Sequence, residues 1–269
     1  VDYKLVGGDK KIGYITVSTF STNTAKEFKT ALKALDKKGA KKLVIDMRGN
    51  PGGLMTAALK MASIFLKNGK TIMQVQARDG STEKYTASKK YDGGFKETKP
   101  TTVLIDGGSA SAAEIFSAAL HQSAGVKLVG SQSYGKGTVQ TVTTFNDKTE
   151  MKITVAKWLT PNGTWINKKG LTPDVKADEP SYASLTVISK VSDLQADKVN
   201  SNVKTFQKYL QALGYFKGTV NGYFGDSTTS AVKQYQKHAK LTVNGKVDKQ
   251  TLTKIETELA NKISYNDRA

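Results

Sequence analysis

Short apolar runs separated by polar stretches mark the first two thirds of the chain. The runs typical of buried strands are IGYITV at 12–17, KLVIDM at 42–47, TTVLID at 101–106 and KLV at 127–129. Apolar residues at helical spacing predict helices over 24–38, after the RGNPGG turn at 48–53, and over 112–123. Strands that alternate with helices in this way predict an α/β core with a largely parallel sheet.

Polar residues indicate where these elements begin and turn. Thr24 and Glu27 have the spacing of a capping box, as do Ser111 and Glu114, so each pair predicts a helix start. Asp79-Gly80 lies in the middle of 71–86 and predicts a hairpin there. The stretch 89–99 is polar and contains glycines, and we expect a loop.

The pattern changes after Pro173. Residues 178–195 are Ser-rich and weakly periodic, as expected of a connector. Three short helices follow, with apolar faces that include Phe206, Val232 and Ile255. TVNG occurs at 219–222 and again at 242–245, each copy followed by a threonine at the same offset, which indicates repeated turns at helix starts. We predict a core over 1–180, a linker over 181–196 and a small all-α three-helix domain over 197–265.

Composition excludes several kinds of chemistry. The 269 residues include no cysteine and two histidines, so disulfides, thiolate nucleophiles and three-histidine metal centres are excluded. We expect no metal and no cofactor. No apolar run approaches the roughly 18 residues that a membrane span needs. Because natural chains begin with Met or a signal peptide, Val1 suggests a mature or truncated form.

The net charge is +18 and comes almost entirely from lysine. Such a charge favours a polyanionic neighbourhood, either nucleic acid or a phosphate-rich cell wall. Proteins that read nucleic acid usually contain more arginine, whereas the arginines here are Arg48, Arg78 and Arg268. An anionic wall polymer is therefore the favoured partner over nucleic acid.

GSQSYGKGTVQ at 130–140 has most of a phosphate-binding P-loop. That motif needs Ser or Thr directly after its lysine to hold magnesium, whereas Gly137 follows Lys136 here and Thr138 comes one residue late. The nucleotide interpretation is therefore disfavoured, and a lysine between two glycines needs another explanation.

The stretch IDGGSASAAEIFSAAL at 105–120 indicates catalytic chemistry. A strand, a glycine turn and a helix in this order expose a side chain at the end of the strand and aim backbone N–H groups at it. An oxyanion would be stabilised there. Ser109 and Ser111 are the candidate nucleophiles, although helix capping alone would also explain Ser111.

A serine nucleophile needs a base. His121 is on the same helix, about 15 Å from Ser111 by helical rise, and is excluded. Lys136 is the alternative, because its flanking glycines allow a close approach and Gln140 on a following strand could hold its amine. A lysine acts as a base only when neutral, which requires desolvation or nearby charge. On pattern alone, a solvated loop lysine is the simpler interpretation.

Four motifs in order resemble the carboxyl-terminal processing proteases, which are Ser/Lys peptidases with a crotonase-like core. They are LVIDMRGNPGGLM, GSASAAEI, GSQSYGKGTVQ and KGLTPDV, and the resemblance covers about residues 3–180. It implies Ser111 as the nucleophile, Lys136 as the base and Gln140 as the residue that assists the lysine. It also implies that the oxyanion is bound by the amide of Ala112 together with that of Gly52 or Gly53.

The chain departs from the family pattern in three ways. Ala113 stands where many members have a third serine, and Gln122 stands where some have an aspartate. Members also carry a PDZ domain before the IGYI strand, and none precedes it here. The resemblance implies that this domain captures the C-terminus of the substrate and gates the active site, so we expect unregulated or absent activity without it.

The tail resembles a peptidoglycan-binding three-helix module, from FQKYLQALGYF through TVNGYFG to VKQYQ. Its aromatic residues are interpreted as core rather than as a sugar-binding platform, although some tyrosines could stack on a glycan: Phe206, Tyr209, Tyr215, Phe216, Tyr223 and Tyr235. In this family such tails also serve as dimerisation elements, so a homodimer is an alternative to wall binding.

These observations together predict an α/β serine endopeptidase, followed by the helical domain, that cleaves unfolded or C-terminal protein segments. The absent cysteine, the basic charge and the tail favour a location outside the cytoplasm of a Gram-positive bacterium: secreted, in the cell wall or in the space between forespore and mother cell. The resemblance adds a link to sporulation signalling. A catalytically silent wall-binding or scaffold protein is the alternative, and an acyl-CoA-handling enzyme on the same core is a third interpretation.

Overall fold

The computed structural model describes residues 1–146, 149–177, 185 and 187–266, apart from the side chains of Val142 and of residues 263–266. The chain divides into two compact units, Val1–Asp178 and Glu179–Ala269. Each unit has its own apolar core.

The first unit contains two sheets. The larger one has the order β1-β2-β3-β6-β7-β10, in which β1 is antiparallel to β2 and the other neighbours are parallel: β1 Asp2–Val6, β2 Ile12–Thr16, β3 Lys42–Asp46, β6 Thr101–Ile105, β7 Lys127–Gly130 and β10 Val175–Lys176. The smaller one is antiparallel with the order β5-β4-β9-β8: β4 Thr71–Gln76, β5 Thr82–Thr86, β8 Thr138–Thr144 and β9 Glu150–Leu159. The largely parallel sheet and the hairpin over 71–86 are confirmed.

The helices of this unit are α1 Thr24–Lys37, α2 Met55–Phe65, α3 Lys89–Asp92 and α4 Ala112–Ala124. An aromatic cluster joins α1, α2 and α4, because the Phe116 ring packs edge-on against those of Phe28 and Phe65, with centroids 6.1 and 6.2 Å apart. Every residue of α4 from Ala112 to Leu120 is buried. The start of α4 is therefore fixed by packing on all sides of the helix.

Two local predictions are wrong. Thr24 and Glu27 do not form a capping box, since Asn23 precedes α1 and the buried Thr24 hydroxyl donates instead to the Thr19 carbonyl at 3.1 Å. Glu27 pairs with the amino group of Val1 at 3.4 Å. The expected loop over 89–99 begins with the short helix α3.

The second unit contains α5 Ser201–Ala212, α6 Asp226–His238 and α7 Lys249–Asn266, which are the three predicted helices. A short 3-10 turn, Val191–Asp193, precedes them. Ile188 and Leu194, within the segment interpreted as a linker, are buried in this second core. Residues 181–184 and 186 of that segment lie outside the described residues.

A buried glutamine clamps each TVNG turn. Gln207 on α5 donates to the Tyr223 carbonyl at 2.9 Å and accepts from the Gly222 N–H at 2.9 Å. Gln236 on α6 donates to the Lys246 carbonyl at 2.9 Å and accepts from the Gly245 N–H at 2.9 Å. The sequence echo is therefore a repeated structural device, in which the helix before each turn holds the turn.

Most of the aromatic residues of this unit form its core, as the sequence indicated. Phe206, Tyr209, Phe216 and Tyr235 are buried, and Tyr215 is half-buried. Tyr223 is 42% exposed, and its hydroxyl donates to Asp197 at 2.8 Å. Tyr223 is thus the member of this set that presents the most ring surface to solvent.

Candidate active site

The two candidate serines have different environments. Ser109 is buried, its hydroxyl donates to the Met47 carbonyl at 2.7 Å and it accepts from the Asp106 N–H at 3.0 Å. Ser109 therefore stabilises the turn after β6. Ser111, directly before α4, has φ 54° and ψ −114°, values that are rare for a residue with a side chain. Ser111 is half-buried and lines an open cavity, so it is the candidate serine that a substrate could reach.

The RGNPGG turn lies against this serine turn. The Asp106 carboxylate accepts from the Gly49 N–H at 2.8 Å and from the Gly108 N–H at 2.9 Å, which ties the two turns together. Arg48 pairs with Asp46 at 2.9 Å, and Tyr14 donates to the same carboxylate. Burial and the Asp46 carboxylate raise the pKa of Tyr14 to about 12, so Tyr14 remains a donor at neutral pH.

The backbone of Lys136 is held beside that of Ser111. Both residues donate their N–H groups to the same atom, Glu114 Oε2, each at 2.9 Å. The two amide nitrogens therefore lie within two hydrogen-bond lengths of each other. Glu114 also makes its half of the predicted capping box through the Ser111 N–H.

The loop that carries Lys136 is held on its other side by two tryptophans. Trp158 Nε1 donates to the Lys136 carbonyl at 2.6 Å, and Trp165 Nε1 donates to the Gly137 carbonyl at 2.8 Å. A Cβ at Gly137 would lie 2.8 Å from the backbone nitrogen of Asn167, so the loop needs glycine for this close approach. The strand β8 follows at Thr138, whereas a P-loop leads into a helix.

A cavity of about 320 Å³ brings the predicted catalytic side chains together. Ser111, Lys136 and Gln140 line it, as do the apolar residues Leu54, Met55, Met73, Ile115, Val139 and Trp158. In the part of the chain that the structure describes, the Lys136 amine makes no hydrogen bond or ion pair, with Gln140 or with any other residue. Lys136 as a whole is half-buried.

The two glycines proposed for the oxyanion hole differ. Gly52 is buried and its N–H donates to the Asn50 side chain at 2.8 Å. Gly53 is exposed, and among the described residues neither its N–H nor that of Ala112 has an acceptor. The Gly52 Cα lies close to Ala112, because a Cβ there would be 2.9 Å from the Ala112 nitrogen. Of the three candidate oxyanion donors, Gly53 and Ala112 are therefore the two whose N–H groups remain free in the described part of the chain.

Two other residues weighed in the sequence, His121 and Gln122, lie away from the cavity. His121 is near the end of α4, where its Nδ1 lies 3.1 Å from the Val126 carbonyl and 3.4 Å from Asp174. Gln122, at the position where some relatives have aspartate, accepts from the Asn162 N–H at 2.9 Å. Neither side chain lines the cavity.

Sequence reasoning missed the residues that hold the site in place. The capping-box spacing identified Glu114, but it gave no sign that the carboxylate also reaches the Lys136 loop. Trp158 had no sequence signal, because β9 was not predicted. Among the described residues, no group of three or more His, Asp or Glu side chains is placed to hold a metal ion. None of the helices described is both long and apolar enough to cross a membrane.

The chain belongs to the peptidase family S41, since residues 11–177 match the family described as "Peptidase family S41". Residues 199–255 match the family described as "Putative peptidoglycan binding domain". The expected architecture, an α/β protease core followed by a small helical domain, is confirmed.

The chain resembles proteins with related names. It is 48% identical over 259 residues to the carboxy-terminal processing protease CtpA of Bacillus subtilis (strain 168), covering 96% of this chain and 54% of that protein. It is 39% identical over 269 residues to a probable CtpA-like serine protease of Staphylococcus aureus (strain N315), covering 99% of this chain and 53% of that protein. The chain therefore spans about half the length of the curated relatives it matches.

A solved structure also resembles the chain. The photosystem II D1 C-terminal processing protease superposes with a TM-score of 0.58 and 32% identity, covering 65% of this chain and 47% of that one. A putative S41 protease from Bacteroides fragilis gives a TM-score of 0.57 at 18% identity, covering 68% of this chain and 52% of that one, and supports the fold alone.

Proposed function

We propose that this chain is the catalytic part of a serine endopeptidase that uses Ser111 and Lys136 to cleave unfolded or C-terminal segments of proteins. The observation that carries the proposal is the cavity, which is lined by Ser111, by Gly53 and by Lys136, whose amine has no partner among the described residues. The N–H groups of Gly53 and of Ala112, the residue after Ser111, have no acceptor among the described residues. The match to peptidase family S41 supports the same reaction class.

The chemistry begins with attack by the Ser111 hydroxyl on the scissile carbonyl. Lys136, as the neutral amine, takes the hydroxyl proton and later gives it to the leaving amine. The amides of Gly53 and Ala112 donate to the oxyanion, and the positive end of α4 favours the same negative charge. Water then hydrolyses the acyl-enzyme. Gln140, on the same cavity, orients the lysine amine through its side-chain carbonyl.

The test is cleavage of an unfolded protein such as reduced casein, followed across pH with the unmutated chain and with Ser111→Ala and Lys136→Ala. We expect each variant to lose at least about 1000-fold in kcat/KM. The unmutated rate should rise with pH as a single base deprotonates. Lys169→Ala removes an exposed lysine on a neighbouring loop and is the matched control, with activity unchanged.

Three results would reject parts of the mechanism. Cleavage by Ser111→Ala at the unmutated rate rejects the nucleophile, and the same result for Lys136→Ala rejects the base. If all variants are folded and the unmutated chain cleaves nothing, the catalytically silent wall-binding or scaffold protein becomes the better description of this chain.

The helical domain is proposed to bind peptidoglycan or an anionic wall polymer, which agrees with the matched family and with the charge of +18. We accordingly propose that the protein acts outside the cytoplasm. Co-sedimentation of the full chain, as Ser111→Ala, with purified peptidoglycan tests this, and adding 0.5 M salt separates charge-driven from glycan-specific binding. If the chain does not sediment with peptidoglycan and light scattering gives the mass of a dimer, a dimerisation role for the helical domain is favoured instead.

A further inference from the structure

One carboxylate bonds to both sides of the proposed active site. The Glu114 side chain is 0% exposed. Its Oε2 accepts from the Ser111 and Lys136 N–H groups, both at 2.9 Å. Its Oε1 accepts from the Gly135 N–H at 2.7 Å and from the Ser133 hydroxyl at 2.5 Å. All four donors are therefore satisfied by one buried side chain.

We propose that Glu114 is a positioning residue that sets the distance and orientation of Ser111 relative to Lys136. This inference rests on the proposed function of those two residues. A carboxylate has no proton to place and can accept at both oxygens in several directions, whereas an amide of the same shape would present its NH₂ group to two of the donors. The site therefore needs the charge at this position as well as the size.

Helix capping does not account for the arrangement. Of the four bonds that the Glu114 side chain accepts, a capping box involves only the one from the Ser111 N–H, three residues away. The other three donors lie 19 to 22 residues further along the chain, on the loop before β8. Because α4 is buried along its first nine residues, the carboxylate extends the rigidity of the helix to that loop. The Lys136 amine makes no hydrogen bond among the described residues, so the backbone of this loop is what fixes the position of the lysine.

The Trp158 bond completes the support of Lys136. With its N–H on Glu114 and its carbonyl on Trp158 Nε1, both backbone polar groups of Lys136 are held by buried side chains. If the Glu114 carboxylate shifted, the Lys136 backbone would rotate about its bond to Trp158, and the Lys136 amine would point in a different direction.

Glu114→Gln is the test, because it keeps the shape and removes the charge. We expect kcat to fall about 100-fold, the loss typical of a misplacement of about 1 Å. KM should stay within about threefold, since the residues that line the cavity are unchanged. The rate at which a fluorophosphonate labels Ser111 should fall with kcat. Glu114→Asp restores the charge with a shorter reach, and we expect it to recover part of kcat.

Ser117→Ala is the matched control. Ser117 is also buried on α4, and its hydroxyl has no partner among the described residues, so kcat should be unchanged. Circular dichroism checks that every variant is folded, and the melting temperature of each variant must lie above the temperature of the assay.

The inference is overturned if Glu114→Gln is folded and keeps kcat within fivefold of the unmutated value. It is also overturned if the loss in kcat/KM comes from a raised KM alone. If Glu114→Gln does not fold, Glu114→Asp decides: a folded Asp variant with reduced kcat and unchanged KM supports the inference. If neither folds, the role is architectural and the inference fails. Activity in Ser111→Ala would mean that the proposed function itself is wrong, whatever Glu114 does.

Discussion

Gly52 lies where a single added methyl group would clash with Ser111, the proposed nucleophile. Its φ is 98°, and a Cβ there would be 2.7 Å from the Ala110 carbonyl oxygen, 2.8 Å from Ser111 Cβ and 2.9 Å from the Ala112 nitrogen. We predict that Gly52→Ala greatly reduces catalysis, because two of these atoms belong to the proposed nucleophile and to the residue that supplies an oxyanion donor.

The expected size of the effect has two parts. The left-handed backbone costs an ordinary residue about 1–2 kcal/mol. In addition, non-bonded carbon atoms prefer separations of about 3.5–4.0 Å, so the contacts require a displacement of about 1 Å. Such a displacement of a catalytic group costs about 100-fold in rate. We therefore expect kcat/KM to fall about 100-fold and the fold to lose stability.

The assay measures kcat/KM on an unfolded protein substrate together with the melting temperature. Gly49→Ala is the matched control in the same turn, because Gly49 has φ 65° but a Cβ there meets nothing within 4 Å. It should lower the melting temperature by about 2–8 °C through its backbone cost alone. Its kcat/KM should stay close to that of the unmutated chain.

The comparison can refute the reasoning in two ways. If Gly52→Ala keeps full activity, the turn can move away from Ser111 without consequence, and the close approach has no catalytic importance. If Gly49→Ala loses as much activity as Gly52→Ala, the effect arises from backbone conformation and not from contact with the serine turn.

Two further predictions concern stability. Gln207→Leu removes the side chain that holds the first TVNG turn, so we expect calorimetry to show the second unit destabilised by about 1–3 kcal/mol, with peptidase activity unchanged. The control is Gln211→Leu at an exposed position on the same helix, which should have little effect on stability. An equal loss of stability in both variants would contradict the role given to Gln207. The hydrogen bond from the Leu128 N–H holds the pKa of Asp174 below its ordinary value of 3.8. The Asp174 carboxylate therefore stabilises the folded state at pH values above 3.8, and this stabilisation is lost as the pH falls through the lowered pKa. Urea unfolding should show Asp174→Asn less stable than the unmutated chain at pH 7, with a difference that shrinks below about pH 4; a pH-independent difference would contradict the assignment.

The regular elements could be predicted because their burial follows a simple period. The strand at 42–47 and the helix at 112–123 have continuous apolar patterns, and both are present. β9 was missed because most of EMKITVAKWL is exposed, so burial leaves no alternating pattern along it. α3 was missed because a four-residue helix is shorter than the period that identifies one.

The site was only partly predictable, for a different reason. The family resemblance implied Ser111 and Lys136, but what brings their backbones together is a carboxylate that bonds to both. Gly53 is favoured over Gly52 as an oxyanion donor because the Gly52 N–H already donates to the Asn50 side chain. Thr24 shows the converse, since its spacing fitted a cap while its hydroxyl bonds elsewhere. Such outcomes depend on side-chain partners, and a single sequence does not show them.

The glutamine clamps of the second unit also bear on how the chain folds. Gln236 bonds to groups 8 to 10 residues ahead, and Gln207 bonds to groups 14 to 21 residues ahead. In the first unit, the buried Ser109 and Gln74 bonds join residues 62 and 86 positions apart. Contacts between residues that are near in sequence close short loops at a small entropic cost, so they form early. Contacts between residues that are distant in sequence close long loops and form more slowly. After dilution from denaturant, the helical unit should therefore regain its structure well before the unit that carries the proposed active site.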